Sequence, residues 1–279
     1  MTTILVTGAT GRVGRHVVQG LLDAGTTVRA LVRNPAGAAL PEAVEVVQGD
    51  ITDEAAVARA AAGVDAAFLL WPSFSAEGAQ PVVAALTEQV SRVVYLSSMN
   101  VRDDAPPAAS GVWGEVEDLL IGSDWTFLRA GGFAANTLGW AEEFRQGDVV
   151  RVVYPEAGRS LIHERDIAAV AVVALLDGKH VGQKYVLTGP EVLTQTQQIA
   201  ILSEVVGKPM RIEEQTPAEA REAMLALGAD PTLAESSVAY WASLVTNPEP
   251  VTTTVPTLLT RPALPYRAWA QEHAAKFRD

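Results

Sequence analysis

Apolar runs and helically spaced apolar positions alternate along the first half of the chain. Ile4-Leu5-Val6 is a short continuous run that predicts a strand, and residues 13–22 carry apolar side chains at helical spacing. Residues 27–32 predict a second strand, ended by Arg33-Asn34-Pro35, and residues 44–48 a short third one. Gly49-Asp50-Ile51-Thr52-Asp53 follows, where Thr52 or Asp53 can cap an Ala-rich helix running to about Ala62. Residues 65–71 predict a fourth strand stopped by Pro72, 81–90 a helix, 92–98 a fifth strand, 112–121 a helix and 124–129 a sixth strand. Strand–helix alternation of this kind implies an α/β fold, a doubly wound parallel sheet of the Rossmann type with right-handed crossovers.

Beyond Gly131 the alternation loosens. Residues 136–145 read as a helix and 149–154 as a strand. Leu161-Ile162-His163-Glu164-Arg165-Asp166 then opens a helix that holds the longest apolar run, 167–176, and Asp166 suits its N-cap. A strand at 184–188 and a helix at 194–206, ended by Gly207, come next. Helices near 217–227, 231–245 and 266–277 complete the chain. They are joined by a Pro/Thr-rich stretch, 247–265, whose Thr252-Thr253-Thr254 run reads as a loop or an edge strand.

Composition narrows the classes. With 279 residues, 48% of them hydrophobic, the chain can bury a sizeable core. A net charge of −12 argues against a direct nucleic-acid or anionic-membrane binder, so any phosphate site must be local. There is no cysteine, which excludes disulfides, thiolate catalysis and cysteine metal sites. No other clustering suggests a metal: His163 reads as local structure before it reads as a pocket donor or a ligand. The apolar run 167–176 is far shorter than the roughly 20 residues of a membrane span. The start of the chain does not read as a signal peptide, and a cytoplasmic protein is expected.

Candidate chemistry begins in the first turn, Thr7-Gly8-Ala9-Thr10-Gly11-Arg12-Val13-Gly14. In a strand-to-helix turn, Gly8 permits the tight bend, Gly11 lets the backbone approach a pyrophosphate, and Gly14 lets helix pack on strand. The helix N-terminus then faces the phosphates. An acidic residue about 20 positions further on would select NAD, but no Asp or Glu lies between Ala24 and Pro41. Arg33 stands there instead, suited to the 2′-phosphate of NADP; it is otherwise a plain loop residue. Arg12 is a second phosphate candidate. Asp50 faces the adenine amino group or only shapes its turn. The cofactor set is completed by Val13, by Leu70 and Trp71 after the fourth strand, and by Ser97. Residues 1–155 are expected to form the dinucleotide-binding domain, and 156–279 a smaller substrate-side lobe whose residues 161–190 pack back on the core.

These motifs, with Tyr95-Leu96-Ser97-Ser98, Trp125-Thr126-Phe127-Leu128-Arg129, Phe133, Asp166-Ile167-Ala168 and Tyr185-Val186-Leu187-Thr188-Gly189-Pro190, resemble the atypical short-chain dehydrogenase/reductases. More narrowly they are similar to the NmrA-like group, which includes bacterial quinone reductases, triphenylmethane-dye reductases and NADP-sensing regulators. The resemblance spans most of the chain, weakest after about Gly228. It implies the fold and the cofactor NADP(H), and says little about the substrate.

One departure matters. The superfamily carries a proton-handling Tyr-x-x-x-Lys pair on the helix after the fifth strand. The corresponding residues here are Trp113 and Glu117, and an indole N–H is a donor only. Ordinary ketone reduction thus lacks its proton source. A quinone or cationic dye can take hydride without concerted protonation, because the oxygen left behind is a weakly basic phenolate with a conjugate-acid pKa of about 10. Donors such as Ser98 and Asn100, with Trp113, would suffice around the reacting atoms. Trp71, Met99, Trp113, Phe133 and Trp140 would wall in a flat aromatic substrate. The leading expectation is an NADPH-dependent reductase of an electrophilic aromatic or quinone-like molecule. The alternatives are a non-catalytic NADP(H) sensor acting through a protein partner, and a tailoring or isomerising enzyme for a small polycyclic metabolite. A homodimer is compatible with each.

Overall fold

A computed structural model describes residues 2–228 and 230–278. The strands are β1 (Thr3–Thr7), β2 (Thr27–Val32), β3 (Glu45–Gln48), β4 (Ala66–Leu69), β5 (Arg92–Ser98), β6 (Asp124–Ala130), β7 (Val149–Val152), β8 (Gly158–Arg159), β9 (Lys184–Leu187), β10 (Leu193–Thr194) and β11 (Arg211–Glu214). The helices are α1 (Gly14–Asp23), α2 (Glu54–Ala61), α3 (Ala79–Thr87), α4 (Gly111–Leu120), α5 (Ala141–Gln146), α6 (Glu164–Leu176), α7 (Gln195–Val206), α8 (Pro217–Ala226), α9 (Pro231–Thr246), α10 (Thr254–Leu259) and α11 (Tyr266–His273).

The chain divides into two compact units. The first comprises residues 1–131, 164–187 and 254–261, and the second 132–163, 188–253 and 262–279. This partition follows contacts and is a different one from the sequence division at 155/156.

The first unit is the doubly wound core. Seven strands lie in the order β3-β2-β1-β4-β5-β6-β9, and every pair is parallel. Its central strands are apolar on both faces, as a sheet covered by helices on both sides requires: Ile4, Leu5 and Val6 of β1 are all fully buried. Asp53 caps α2 by accepting from the N–H groups of Ala55 and Ala56. Gly20 on α1 lies so close to α6 that a Cβ there would come within 2.9 Å of Val172 Cγ2, so the absent side chain is what lets the two helices meet. The strand order reverses beside β1, which has β2 on one side and β4 on the other, and this places the switch point at the end of β1.

The second unit holds two small sheets, β10-β8 antiparallel and β11-β7 parallel. Phe144, Ile199, Leu202, Tyr266, Trp269 and Phe277 form its main core.

Several local expectations change. The helix read at 136–145 is a 3-10 segment, Ala134–Trp140, followed by α5. The Thr137 hydroxyl donates to the Ala134 carbonyl at 2.6 Å, a local side-chain bond that competes with regular helix. The Pro/Thr-rich stretch contains α10, where Thr254 begins a helix instead of a strand; Pro256 lies in its first turn, where no N–H partner is needed. Asp166 is not an N-cap. It lies inside the first turn of α6, fully buried, and pairs with Arg261 at 2.7 Å.

Candidate active site

At the switch point the turn after β1 is held open by its own backbone. Gly8 has φ +63°, the left-handed region that favours glycine. The Gly11 N–H donates to the Gly8 carbonyl at 2.8 Å. A Cβ on Gly14 would lie 2.1 Å from that same oxygen, so only glycine can start α1 here. The N-cap position of α1, Val13, offers no side-chain cap, and the first turn carries no acid. The Arg15 and His16 N–H groups are given to the Gly11 and Val13 carbonyls, so those of Val13 and Gly14, with the helix dipole, are left for an anion. The residues present fit a dinucleotide pyrophosphate.

The neighbouring strand ends fit the rest of such a cofactor unevenly. Arg33 is exposed just past β2, and its side chain makes no hydrogen bond or ion pair with the described residues. Its charge reaches Asp50 at the end of β3. Asp50 accepts the backbone N–H of Thr52 at 3.0 Å and its hydroxyl at 2.9 Å, through one carboxylate oxygen. The backbone bond, with lesser help from the Thr52 hydroxyl and Arg33, holds its carboxyl below the usual range against the cost of burial. Asp50 thus shapes its turn and keeps its second oxygen. The Thr7 hydroxyl is fully used: it donates to the Phe68 carbonyl and accepts from the Leu70 N–H, tying β1 to the end of β4. Leu70 covers the open face of Gly8, 3.5 Å from where a Cβ would be. Thr10 and Arg12 lie exposed on the rim of the turn.

Trp71 has a different place from the wall position read in the sequence. Its ring packs into the apolar core with 8% exposure, and its indole N–H donates to the Ser75 carbonyl at 2.8 Å. That bond closes the loop between β4 and α3 and presents Phe74, 71% exposed, edge-on to Trp113 at 6.2 Å between ring centroids. Sequence reasoning missed Phe74. The available signal was an aromatic ring between two serines in a stretch without periodicity.

At the end of β5, consecutive serines point to opposite faces of the sheet. Ser97 is buried and donates to Glu117 Oε1 at 2.5 Å. Ser98 is half-buried and accepts the Asn100 N–H at 3.2 Å, so its own hydrogen remains to be donated. Asn100 is exposed, and the Met99 N–H is held by the Ala130 carbonyl.

On α4, Trp113 is half-buried against the core. One turn on, Glu117 is 5% exposed and enters a charge network. Arg129 of β6 grips it through Nη2 at 2.7 Å and Nε at 3.0 Å, and holds Asp103 through both terminal nitrogens. Lys184 of β9 reaches Asp103 at 2.6 Å. Those hydrogen bonds, from Arg129 and then Lys184, push the Asp103 carboxyl far below the usual carboxylate range. Glu117, expected from the resemblance to stand where the superfamily has lysine, is an ion-pair partner of Arg129. Tyr95 cannot stand in as the acid. It lies in the core against Phe127, and burial, then the Glu117 charge, push its phenol up out of reach.

Phe133 and Trp140 belong to the second unit, both half-buried against its core. His163 is buried in the same unit with Nε2 3.4 Å from Glu272. Among the described residues, no three His, Asp or Glu side chains group as a metal site. No helix of the described residues is long and apolar enough to cross a membrane.

Known proteins resemble this chain along most of its length. The NmrA-like family profile matches residues 1–238. A (4-alkanoyl-5-oxo-2,5-dihydrofuran-3-yl)methyl phosphate reductase of Streptomyces griseus subsp. griseus is 41% identical over 280 residues, covering 98% of this chain and 99% of that protein. An NAD(P)H azoreductase of Xenophilus azovorans is 33% identical over 98% of this chain and 99% of its own. The crystal structure of an NADPH-dependent quinone oxidoreductase from Escherichia coli, complexed with NADPH, superposes with a TM-score of 0.81 at 26% identity, over 96% of this chain and 99% of that one.

Proposed function

This chain belongs to the NmrA-like family, and from that premise we propose that it carries a hydride from NADPH to an electron-poor conjugated small molecule, a quinone or an enone flanked by carbonyl groups. It is an NADP(H)-dependent reductase, as its similarity along the whole chain to two reductases implies. The observation that carries the substrate class is the state of α4. Its Tyr-x-x-x-Lys positions hold an indole and a carboxylate locked to Arg129, so no proton donor stands there.

When bound, NADPH supplies the hydride. The Gly8–Gly14 turn and the uncapped start of α1 would hold its pyrophosphate, Arg33 and Arg12 its 2′-phosphate, and the second oxygen of Asp50 its adenine. Addition of that hydride to such a substrate would leave its displaced π electrons on the conjugated oxygen. That oxygen is a phenolate or a delocalised enolate, weakly basic enough to await a proton from water. The Ser98 hydroxyl and the Asn100 amide stabilise it as donors. Trp113, with Met99, gives the flat substrate an apolar wall, and Phe74 continues it. The relative from Streptomyces griseus subsp. griseus acts, by its name, on a ring whose double bond carries two carbonyl groups on one of its carbons, which supports the same electronic class.

The test is NADPH consumption over a panel of quinones, azo dyes, doubly activated enones and simple ketones. Turnover of one or more activated classes with none of the simple ketones is expected. Efficient reduction of an unactivated ketone would overturn the reading, and no turnover of any activated class would leave the sensor role.

A further inference from the structure

The second unit contains a cavity of about 180 Å³ that the cofactor residues do not touch. Its walls include Trp140, Trp241, Arg159, Asn136, Gln195 and Gln198. A dry apolar cavity of about 150 Å³ is enough to admit one benzene ring, so this one has room for a single ring with a small substituent.

Its charged wall is built, not incidental. Arg159, on β8, is only 18% exposed. Its Nε donates to Glu249 Oε1 at 3.1 Å, and Glu249 is itself 3% exposed. Glu249 also takes the Ser160 N–H at 2.9 Å and the Tyr240 hydroxyl at 2.7 Å. With the Ser160 hydroxyl at 3.5 Å, the carboxylate is shared among four donors and fixes the guanidinium through its Nε. Neither terminal nitrogen of Arg159 makes a hydrogen bond to the described residues.

Two glycines make the arrangement possible. A Cβ at Gly132 would fall 2.2 Å from Arg159 Nη2 and 2.6 Å from its Cζ, so the guanidinium rests on bare backbone. A Cβ at Gly158 would lie 2.9 Å from Pro248 Cβ, and its absence lets the strand end receive the segment that carries Glu249. That segment is pinned by the Glu249 N–H to the Gly158 carbonyl at 3.1 Å. Both amide N–H groups of Gln195 are given to the Val153 and Tyr154 carbonyls, and one of Gln198 to the Leu193 carbonyl, so Gln198 keeps a single N–H donor.

We propose that this cavity is a binding site for a small planar ring bearing an anionic oxygen group, a carboxylate or a phosphate monoester. The ring lies against Trp140 and Trp241. The anion receives the two terminal N–H groups of Arg159, in the fork geometry that makes arginine bonds to such oxyanions strong and directional. Asn136 is exposed at the rim with its amide available to the same group. The site concerns the second unit by itself and does not depend on which molecule receives the hydride.

The experiment measures binding to the full chain with no turnover, by ligand-observed NMR titration of benzoate, phenyl phosphate and benzyl alcohol. Both anions are expected to bind at least about tenfold more tightly than the alcohol, the scale of a charge-assisted bond. The tighter of the two identifies whether the natural group is a carboxylate or a phosphate. Replacing Arg159 alone would bury the Glu249 charge unpaired, so the variant is the double R159M/E249Q, which should bind all three probes alike. Gly132→Ala is the independent variant: it leaves the ion pair's chemistry intact but takes the guanidinium's resting place, and should reduce the anion preference several-fold. Trp241→Ala should weaken all three probes together. Equal binding of alcohol and anions, or a preference that survives in both the double variant and Gly132→Ala, overturns the proposal. So does a Trp241→Ala protein that binds every probe as the parent does.

Discussion

The turn after β1 and the face of α4 both belong to the first unit, and they are built on opposite principles. The turn offers backbone. Its N–H groups are supplied by any residue, and the sequence is constrained only where a Cβ has no room, as at Gly14, 2.1 Å from a carbonyl oxygen. The α4 face presents side chains, Trp113 and Glu117, at the positions where the resemblance leads one to expect Tyr and Lys. A backbone site persists while the chemistry beside it changes, because the same phosphates must be held whatever receives the hydride. The side-chain site depends on each residue's partners: Glu117 is held by Arg129, which Asp103 and Lys184 complete.

The sharpest way to break this comparison is to restore the lost pair. Glu117→Lys would set an ammonium against the buried Arg129 guanidinium and strip it of a carboxylate. Breaking a buried pair in this way costs about 3–5 kcal/mol, with like-charge repulsion in addition. A collapse of the thermal melting transition followed by circular dichroism is expected, with no gain of ketone reduction in the Trp113→Tyr/Glu117→Lys double variant. An unchanged melting point would mean that Glu117 is not what holds Arg129 in place.

The turn should respond differently. Gly11→Val fills the approach path of the pyrophosphate while leaving the sheet intact, so NADPH affinity should fall by more than about 100-fold with a nearly normal melt. A folded variant that binds NADPH normally by calorimetry would move the cofactor elsewhere. On the same side, Arg33→Asp should reduce the preference for NADPH over NADH by about 10- to 100-fold, the scale of a hydrogen bond to a charged group. Equal affinity for both cofactors in the parent protein would remove Arg33 from the 2′-phosphate.

The contrast also explains what the sequence disclosed. The parallel sheet was legible because buried strands such as Ile4-Leu5-Val6 are continuously apolar, and the turn because glycine spacing is itself the geometric constraint. The network was not legible. Glu117, Arg129, Asp103 and Lys184 are far apart in the chain and meet only because β6 lies between β5 and β9. Trp71 looked like a site wall by its position after β4, but the Ser75 carbonyl, four residues on, took its N–H and drew the ring into the core. In the second unit, strands of two to four residues carry no period, so Arg159 on β8 gave no sign of the charge it would meet 90 positions later at Glu249.

Trp113 tests whether α4 now supplies only a surface. Trp113→Phe keeps a flat apolar wall and should retain most of the turnover. Trp113→Ala should raise KM by the equivalent of about 1–3 kcal/mol, a lost aromatic contact. Neither change should introduce a pH step, since none of these side chains titrates. If Trp113→Ala left KM and kcat untouched, the substrate would not lie on this face of α4.

The smallest expected effect lies at the open end of the network. Asp103 is 59% exposed, so its pairing with Arg129 and Lys184 is screened by water and salt, and Asp103→Asn should cost less than about 1 kcal/mol at neutral pH. The sign of its pH dependence follows from its lowered carboxyl. Above the unfolded-state value, about 3.9, the carboxylate is ionised whether the chain is folded or not, and the contribution is complete. As the pH falls below about 4, the unfolded chain takes up the proton first, and stability drains away until the folded carboxyl is protonated too. The side-chain amide of the Asp103→Asn variant has no such proton to bind. The difference in unfolding free energy between parent and variant, from urea titrations, should therefore be full above about pH 5 and shrink toward about pH 3, and it should also shrink in high salt. A difference that stays constant from about pH 7 to about pH 3 would show that Asp103 holds its loop by shape and not by charge. The outer half of the network would then be dispensable to the ion pair that replaced the lysine.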